Sequence, residues 1–268
     1  MSGFSAAWLA LREPADAAAR STLVTRFVTD AFRGRSVVRI VDLGSGTGSN
    51  VRYLAHHLSQ PQRWHLVDND PALLDAARSL VSGDIETRVA DLRHLDSSVF
   101  TNSQLVTASA LLDLVSEAWL RMLVQHCQSN RAAVLAALNY DGRIACSPAD
   151  DDDGVVRELV NRHQRTDKGF GPALGPEAGV RFEALLRGAG FSVLREKSDW
   201  RLGAGDTELQ SQLISGWAAA AIEIAGSEAD RIRAWEVRRL DHVAQEQSEI
   251  IVGHDDVGAI PLDWRPVL

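Results

Sequence analysis

Val41-Asp42-Leu43-Gly44-Ser45-Gly46-Thr47-Gly48 is the most informative stretch of this chain. It follows directly on an apolar run, Val37-Val38-Arg39-Ile40-Val41, and it places three glycines at alternate positions. β-Branched residues followed by glycines predict a buried strand and a sharp turn. Glycines are needed there because the backbone bends tightly and must lie close to a ligand. Residues 49–58 continue with a helical pattern. The start of that helix offers free N–H groups to an anionic or polar group. Asp42, two residues before the first glycine, can organise the turn.

The same alternation continues downstream. Trp64-His65-Leu66-Val67 predicts a strand ending at Asp68. Asp70-Pro71 predicts a helix start, with Asp as N-cap and Pro in the first helical position. Ile85 to Ala90 and Leu105 to Ala108 predict further strands, with a helix over about 116–127. Val134 to Leu138 predicts another strand, and Asp141-Gly142 reads as a hairpin turn. Helices are expected at 154–165, 176–188, 206–225 and 228–246, and strands at 191–197 and 249–254. Strands alternating with helices imply an α/β fold with a doubly wound, mostly parallel sheet; seven strands are expected.

Two further acids end strands. Asp68 comes 20 residues after Gly48, and an ionised Asp there can accept from both hydroxyls of a ribose. Asp91, closing the third strand, could accept from the amino group of an adenine. Both can also be read as simple caps of the segments that follow. The glycine spacing is GxGxG, with Ser49 where a dinucleotide fingerprint would carry its last Gly or Ala, and no GK[ST] ending follows.

Taken together, residues 37–113 resemble the cofactor half of class I S-adenosylmethionine-dependent methyltransferases, which have a Rossmann-like fold. The matching positions are Asp42 with Gly44, Gly46 and Gly48, then Asp68 in Leu66-Val67-Asp68-Asn69-Asp70, then Asp91 in Val89-Ala90-Asp91-Leu92. Thr107-Ala108-Ser109-Ala110-Leu111-Leu112-Asp113 stands where that family lies near the transferable methyl. The resemblance implies S-adenosylmethionine as cofactor. Its methionine part would lie on the turn that includes Ser45, its ribose on Asp68 beside Asn69, and its adenine on Asp91 and the Leu92 backbone, with Ser109 close by. It also implies helical caps: residues 1–35 before the core, and an inserted segment at about 145–180 within the core of 36–268. Arg20 in the first cap is a candidate for the methionine carboxylate, or a surface ion-pair partner of Asp16. Pro14 is expected to open a second helix after a charged turn at residues 12–16.

Candidates for catalysis are sparser. His163 could serve as a general base and Tyr140 could touch the substrate; each can equally be structural. In-line methyl displacement needs chiefly alignment of the nucleophile, so no catalytic residue need stand out. The Asp150–Asp153 run reads as a solvated loop or helix start, and no metal site is expected. Cys127 and Cys146 lie in separate segments and fit neither a disulfide framework nor a CxxC site.

The net charge is −8 and the chain has two lysines, Lys168 and Lys197, without a basic stripe, so nucleic acid is not an expected partner. No apolar run reaches the ~20 residues of a membrane span, and the first residues do not read as a secretory signal. A cytoplasmic enzyme acting on O, N or C of a small-molecule metabolite or natural product is the expectation, with a homodimer as one option. The alternatives are an NAD(P)-dependent oxidoreductase and a non-catalytic S-adenosylmethionine-binding protein. Asp91 and the missing last glycine disfavour the oxidoreductase.

Overall fold

The structure, a computed structural model, describes residues 4–264; the outermost residues of the expected cap (1–3) and core (265–268) lie outside it. β1 (Val38–Leu43) is buried at every position except Arg39. It runs parallel between β2 (Gln62–Asp68) and β4 (Leu105–Ser109). A central parallel strand is covered on both faces, which is why its apolar residues do not alternate with polar ones; only Arg39 and the hydrogen-bonded Asp42 interrupt them. β3 (Asp84–Val89) pairs with β2, and β5 (Ala133–Ser147) pairs with β4, both parallel. β8 (Glu249–Pro261) then runs antiparallel to β5, to β6 (Phe191–Lys197) and to the short β7 (Trp200–Leu202). The order is β3-β2-β1-β4-β5-β8-β6, with β7 on β8. The eighth strand, β7, has only three residues, too few to give a pattern of its own.

Successive side chains of β1 enter opposite cores, as the two-residue period of a strand requires. Val41 and Leu43 face the layer that holds α5 (Glu117–Ser129) and α7 (Ala178–Gly188). Val38 and Ile40 face α2 (Thr22–Thr29), α3 (Ser49–Ala55) and α4 (Pro71–Leu80). A third core forms beyond the carboxyl half of β5, where α6 (Asp153–Gln164), α8 (Thr207–Ile224) and α9 (Ala229–Ala244) bury Trp217 and Trp235.

Three local expectations change. The charged turn at 12–16 is absent: α1 (Ala6–Ala19) runs straight through Pro14. Trp8, Leu11, Ala15 and Ala19 form one apolar stripe across it, packed on the third core. Pro14 lies on the exposed side, where the carbonyl it leaves unbonded can face water. The Asp141-Gly142 hairpin is absent as well. β5 continues to Ser147 and absorbs these residues as a bulge, with Tyr140 opposite His254 and Ile144 opposite Val252. Gly142 supplies the positive φ of 89° that the bulge needs. Finally, β8 extends to Pro261. Its polar middle hides the strand, because Asp255 and Asp256 are buried yet bonded: Asp255 to Arg195, and Asp256 to the amides of Ser21 and Leu138.

Candidate active site

The glycine turn is shaped by backbone that other residues cannot adopt easily. Gly44, Gly46 and Gly48 have φ of 66°, 51° and 80°. A Cβ on Gly48 would also lie 2.6 Å from Val81 Cγ2, and one on Gly46 would lie 2.9 Å from Leu9 Cδ1. Ser45 pins the turn to its neighbour strand: its hydroxyl donates to the Asp42 carbonyl (2.7 Å) and accepts from the Val67 amide (2.9 Å). The Asp68 carboxylate reaches the same turn, accepting from the Gly46 amide (2.8 Å) and from Asp70 N–H (3.0 Å). Each carboxylate oxygen keeps further acceptor capacity. Asn69 is exposed beside it.

Beneath the turn, Asp42 anchors a string of buried polar groups. Its Oδ1 accepts from Asn50 (2.7 Å) and from the Thr107 hydroxyl (2.6 Å), while Oδ2 has no partner. Burial pushes its pKa up to about 6, against the pull of those donors. Asn50 in turn accepts from Arg20 (2.8 Å). Arg20, only 6% exposed, closes α1 over the strand ends. Its Asp16 partnership is not formed, because Asp16 is held by Arg12 at 2.9 and 3.0 Å. Arg20 instead stacks 4.4 Å from the Tyr53 ring centroid, with Nε 3.6 Å from Asp256. Its Nε and one terminal nitrogen have no hydrogen-bond partner. It borders a cavity of about 300 Å³ that also touches Ser49, Asn50, Tyr53 and Ser109.

At the end of β3, Asp91 bonds to Arg93 through both backbone and guanidinium, which pulls its pKa down to about 2. The Leu92 carbonyl accepts from the Trp119 indole (2.7 Å). The side chains of Leu92 and Leu111 both reach to within 3.8 Å of where a Cβ on Gly44 would stand, so they flank the first glycine with apolar walls. The sequence-derived residues Gly44, Ser45, Gly46, Gly48, Asp68, Leu92 and Ser109 therefore gather at the carboxyl ends of β1, β2, β3 and β4.

His163 and Tyr140 lie outside this cluster, His163 beside Lys168 and Tyr140 with its backbone amide toward Asp113. His163 is gripped on α6 by Glu223 (3.0 Å) and Lys168 (3.2 Å). Tyr140 donates its hydroxyl to Asn161 (2.8 Å), and burial pushes its pKa up. The Asp150–Asp153 run forms the start of α6, as the helix-start reading has it, but arginines rather than water meet its carboxylates: Arg238 bonds Asp150 and Asp152, and the fully buried Arg239 bonds Asp153. Among the described residues, no three His, Cys, Asp or Glu side chains are grouped to hold a metal.

The loop 165–175 arches over the strand ends. Asp167 accepts from the Gly169 (2.6 Å) and Gly171 (3.0 Å) amides and holds its shape. Gly169 faces Arg93, Gly171 faces Ser116, and Phe170 meets Trp119 edge to face. This loop carries Lys168 inward. Four polar residues at the site were not singled out individually from sequence: Asn50, Thr107, Asp113 and Lys168. Asp113 had a visible signal, a lone acid within Leu111-Leu112-Asp113-Leu114-Val115.

Residues 40–130 match the family model described as a methyltransferase domain. No curated protein matches the chain. Among solved structures, a cyclopropane synthase from Mycobacterium tuberculosis is 8% identical with a TM-score of 0.51, over 96% of this chain and 94% of its own. A phosphoethanolamine N-methyltransferase 2 from Haemonchus contortus, solved with phosphomonomethylethanolamine and S-adenosylhomocysteine, is 12% identical with a TM-score of 0.48. That match covers 97% of this chain, which spans only 59% of the Haemonchus protein. A Bacillus protein, YcgJ, is 13% identical with a TM-score of 0.48, over 90% of this chain and 99% of its own. The sheet order and the likeness to the Mycobacterium protein define a Rossmann-like α/β fold, and residues 40–130 within it match a methyltransferase domain.

Proposed function

We propose that this chain transfers a methyl group from S-adenosylmethionine to an oxygen, nitrogen or carbon of a small molecule. The observation that carries the reading is Arg20: a buried guanidinium bordering a cavity beside the glycine turn, whose Nε and one terminal nitrogen make no hydrogen bond although Asp256 lies 3.6 Å from Nε. Unbonded buried donors of this kind call for an anionic partner. The carboxylate at the amino-acid end of S-adenosylmethionine fits Arg20, which borders the cavity next to Ser49 and Asn50 at the end of the glycine turn.

Asp68 has acceptor capacity left for the ribose hydroxyls. Leu92 and Leu111 give the adenine ring apolar walls. For Asp91 to accept from the adenine amino group it would exchange part of its bonding to Arg93. The bound cofactor supplies a methyl group made electrophilic by a sulfonium. The chain's own task is to hold, align and shield: α1 and the loop 165–175 cover the strand ends, and Ser109 marks where the cavity meets β4.

Parallel calorimetric titrations with S-adenosylhomocysteine, S-adenosylmethionine and NADH test the reading. Micromolar or tighter binding of the first two, without the third, supports it. Binding of NADH alone would replace it with hydride chemistry.

A further inference from the structure

Two buried ionic side chains at the carboxyl ends of the strands have unmet bonding capacity and belong to none of the roles above. Asp113 is 7% exposed, and its Oδ1 is buried without a partner. It lies four residues beyond Ser109, in the segment whose Leu111 flanks Gly44. Around it stand its own amide and that of Tyr140, with the cations of Arg12 on α1 and Lys168 on the covering loop further off. Arg12 is already bonded twice to Asp16. Burial pushes the Asp113 pKa up to about 6.

Lys168 is the complement. It is 9% exposed, and its ammonium touches only the ring of His163, at 3.2 and 3.4 Å. Among the described residues, no carboxylate comes within ion-pair distance of it. His163 gives its other nitrogen to Glu223. With Nε2–H donating to Glu223, Nδ1 is left to accept from Lys168, so the histidine positions the lysine. Burial lowers the Lys168 pKa, while the charges of Asp113 and Glu223 oppose that shift.

The two opposite charges feel each other but do not close into a pair. Asp113 keeps an unbonded carboxylate oxygen and Lys168 keeps ammonium protons beyond its histidine contact, so a ligand that reaches both would meet acceptor and donor together. In open α/β sheets ligands lie at this end of the strands. We propose that Asp113 and Lys168 are the two poles of the methyl-acceptor subsite, which takes a small molecule carrying an amine or hydroxyl at one end and a carboxylate or phosphate at the other. The proposal rests on the methyl-transfer reading for the word acceptor, and on the geometry alone for the ligand class. An amine without an anion leaves Lys168 unmatched; an anion without a donor leaves Asp113 unmatched.

The test is calorimetric titration of the whole chain, with and without saturating S-adenosylhomocysteine. The probes are β-alanine, γ-aminobutyrate and glycerol 3-phosphate, with propylamine and propionate as single-pole controls. At least one two-pole probe is expected to bind tenfold or more tighter than both controls. Whether the two amino acids or glycerol 3-phosphate prevail identifies the anion as carboxylate or phosphate. Asp113→Asn and Lys168→Met are each expected to weaken that probe tenfold or more, with S-adenosylhomocysteine affinity within twofold of wild type. Two-pole probes that bind no better than the controls, or not at all, overturn the proposal, and that comparison needs no variant. Variants that bind the probe as wild type does overturn it too. Loss of S-adenosylhomocysteine binding in the wild type, with probe discrimination intact, would instead remove the methyl-transfer reading and leave the subsite standing.

Discussion

Replacing Arg20 by Met keeps the length of the side chain and removes its donors, and the consequences for ligand and fold differ in size. The guanidinium already gives one bond to Asn50 and has two nitrogens without partners. If those two meet a carboxylate, each charge-assisted hydrogen bond contributes roughly 1.5–3 kcal/mol. Two of them amount to about 3–6 kcal/mol, which is roughly a 10²- to 10⁴-fold loss of affinity for S-adenosylhomocysteine. The folded chain without ligand should feel far less. Removing a buried, incompletely bonded cation relieves its desolvation, while Asp256 loses a neighbour at 3.6 Å but keeps the amides of Ser21 and Leu138. A net change within about 1 kcal/mol, or roughly 2–4 °C in melting temperature, follows. Calorimetry with S-adenosylhomocysteine and with adenosine separates the ends of the ligand, since adenosine has no amino-acid end to lose. The reasoning is refuted if Arg20→Met leaves S-adenosylhomocysteine affinity within twofold of wild type, or weakens adenosine to the same degree.

Asp68→Ala should weaken adenosine and S-adenosylhomocysteine alike, by about 10²-fold or more, because the ribose belongs to both; circular dichroism should show the fold retained, and unchanged adenosine affinity would remove the ribose assignment. Asp42 gives a pH signature. Its folded pKa of about 6 lies above the ordinary carboxylate value, so the folded chain holds this proton more tightly than the unfolded one. That stabilisation is complete below about pH 4 and is lost as pH rises through about 6. Asp42→Asn does not titrate, so between about pH 4 and pH 7 it should gain on wild type by on the order of 2 kcal/mol; urea midpoints at both ends of the range measure it, and parallel curves would count against the buried carboxylate. Arg239→Met should lower stability by about 3 kcal/mol, since it strips Asp153 of a fully buried partner. EDTA should leave the melting temperature of the wild type unchanged, because arginines hold the Asp150–Asp153 carboxylates.

Much of the sheet was legible because its signals are local. β1, the glycine turn and the Asp70-Pro71 helix start each depend on residues adjacent in the chain: buried strands need continuous apolar runs, tight turns need glycine, and helix starts need a side-chain acceptor. Asp42, Asp68 and Asp91 could be placed at strand ends for the same reason. The errors share a different cause. Pro14 looks like a helix start until the stripe of Trp8, Leu11, Ala15 and Ala19 finds a core to pack on. Asp141-Gly142 looks like a hairpin until β8 supplies hydrogen bonds on both sides of it.

The chain's own sequence thus determined the order of strands and helices, the turn and the acids around it, since these follow from backbone preferences and hydrophobic period. Only the tertiary structure decided which charges are matched. Arg12 rather than Arg20 takes Asp16, Arg93 takes Asp91, and the Asp150–Asp153 carboxylates go to arginines more than 70 residues away. Arg20, Asp113 and Lys168 are left buried with bonding capacity unmet. Charge pairing acts through space and depends on what burial takes from water, so no spacing along the chain reveals it.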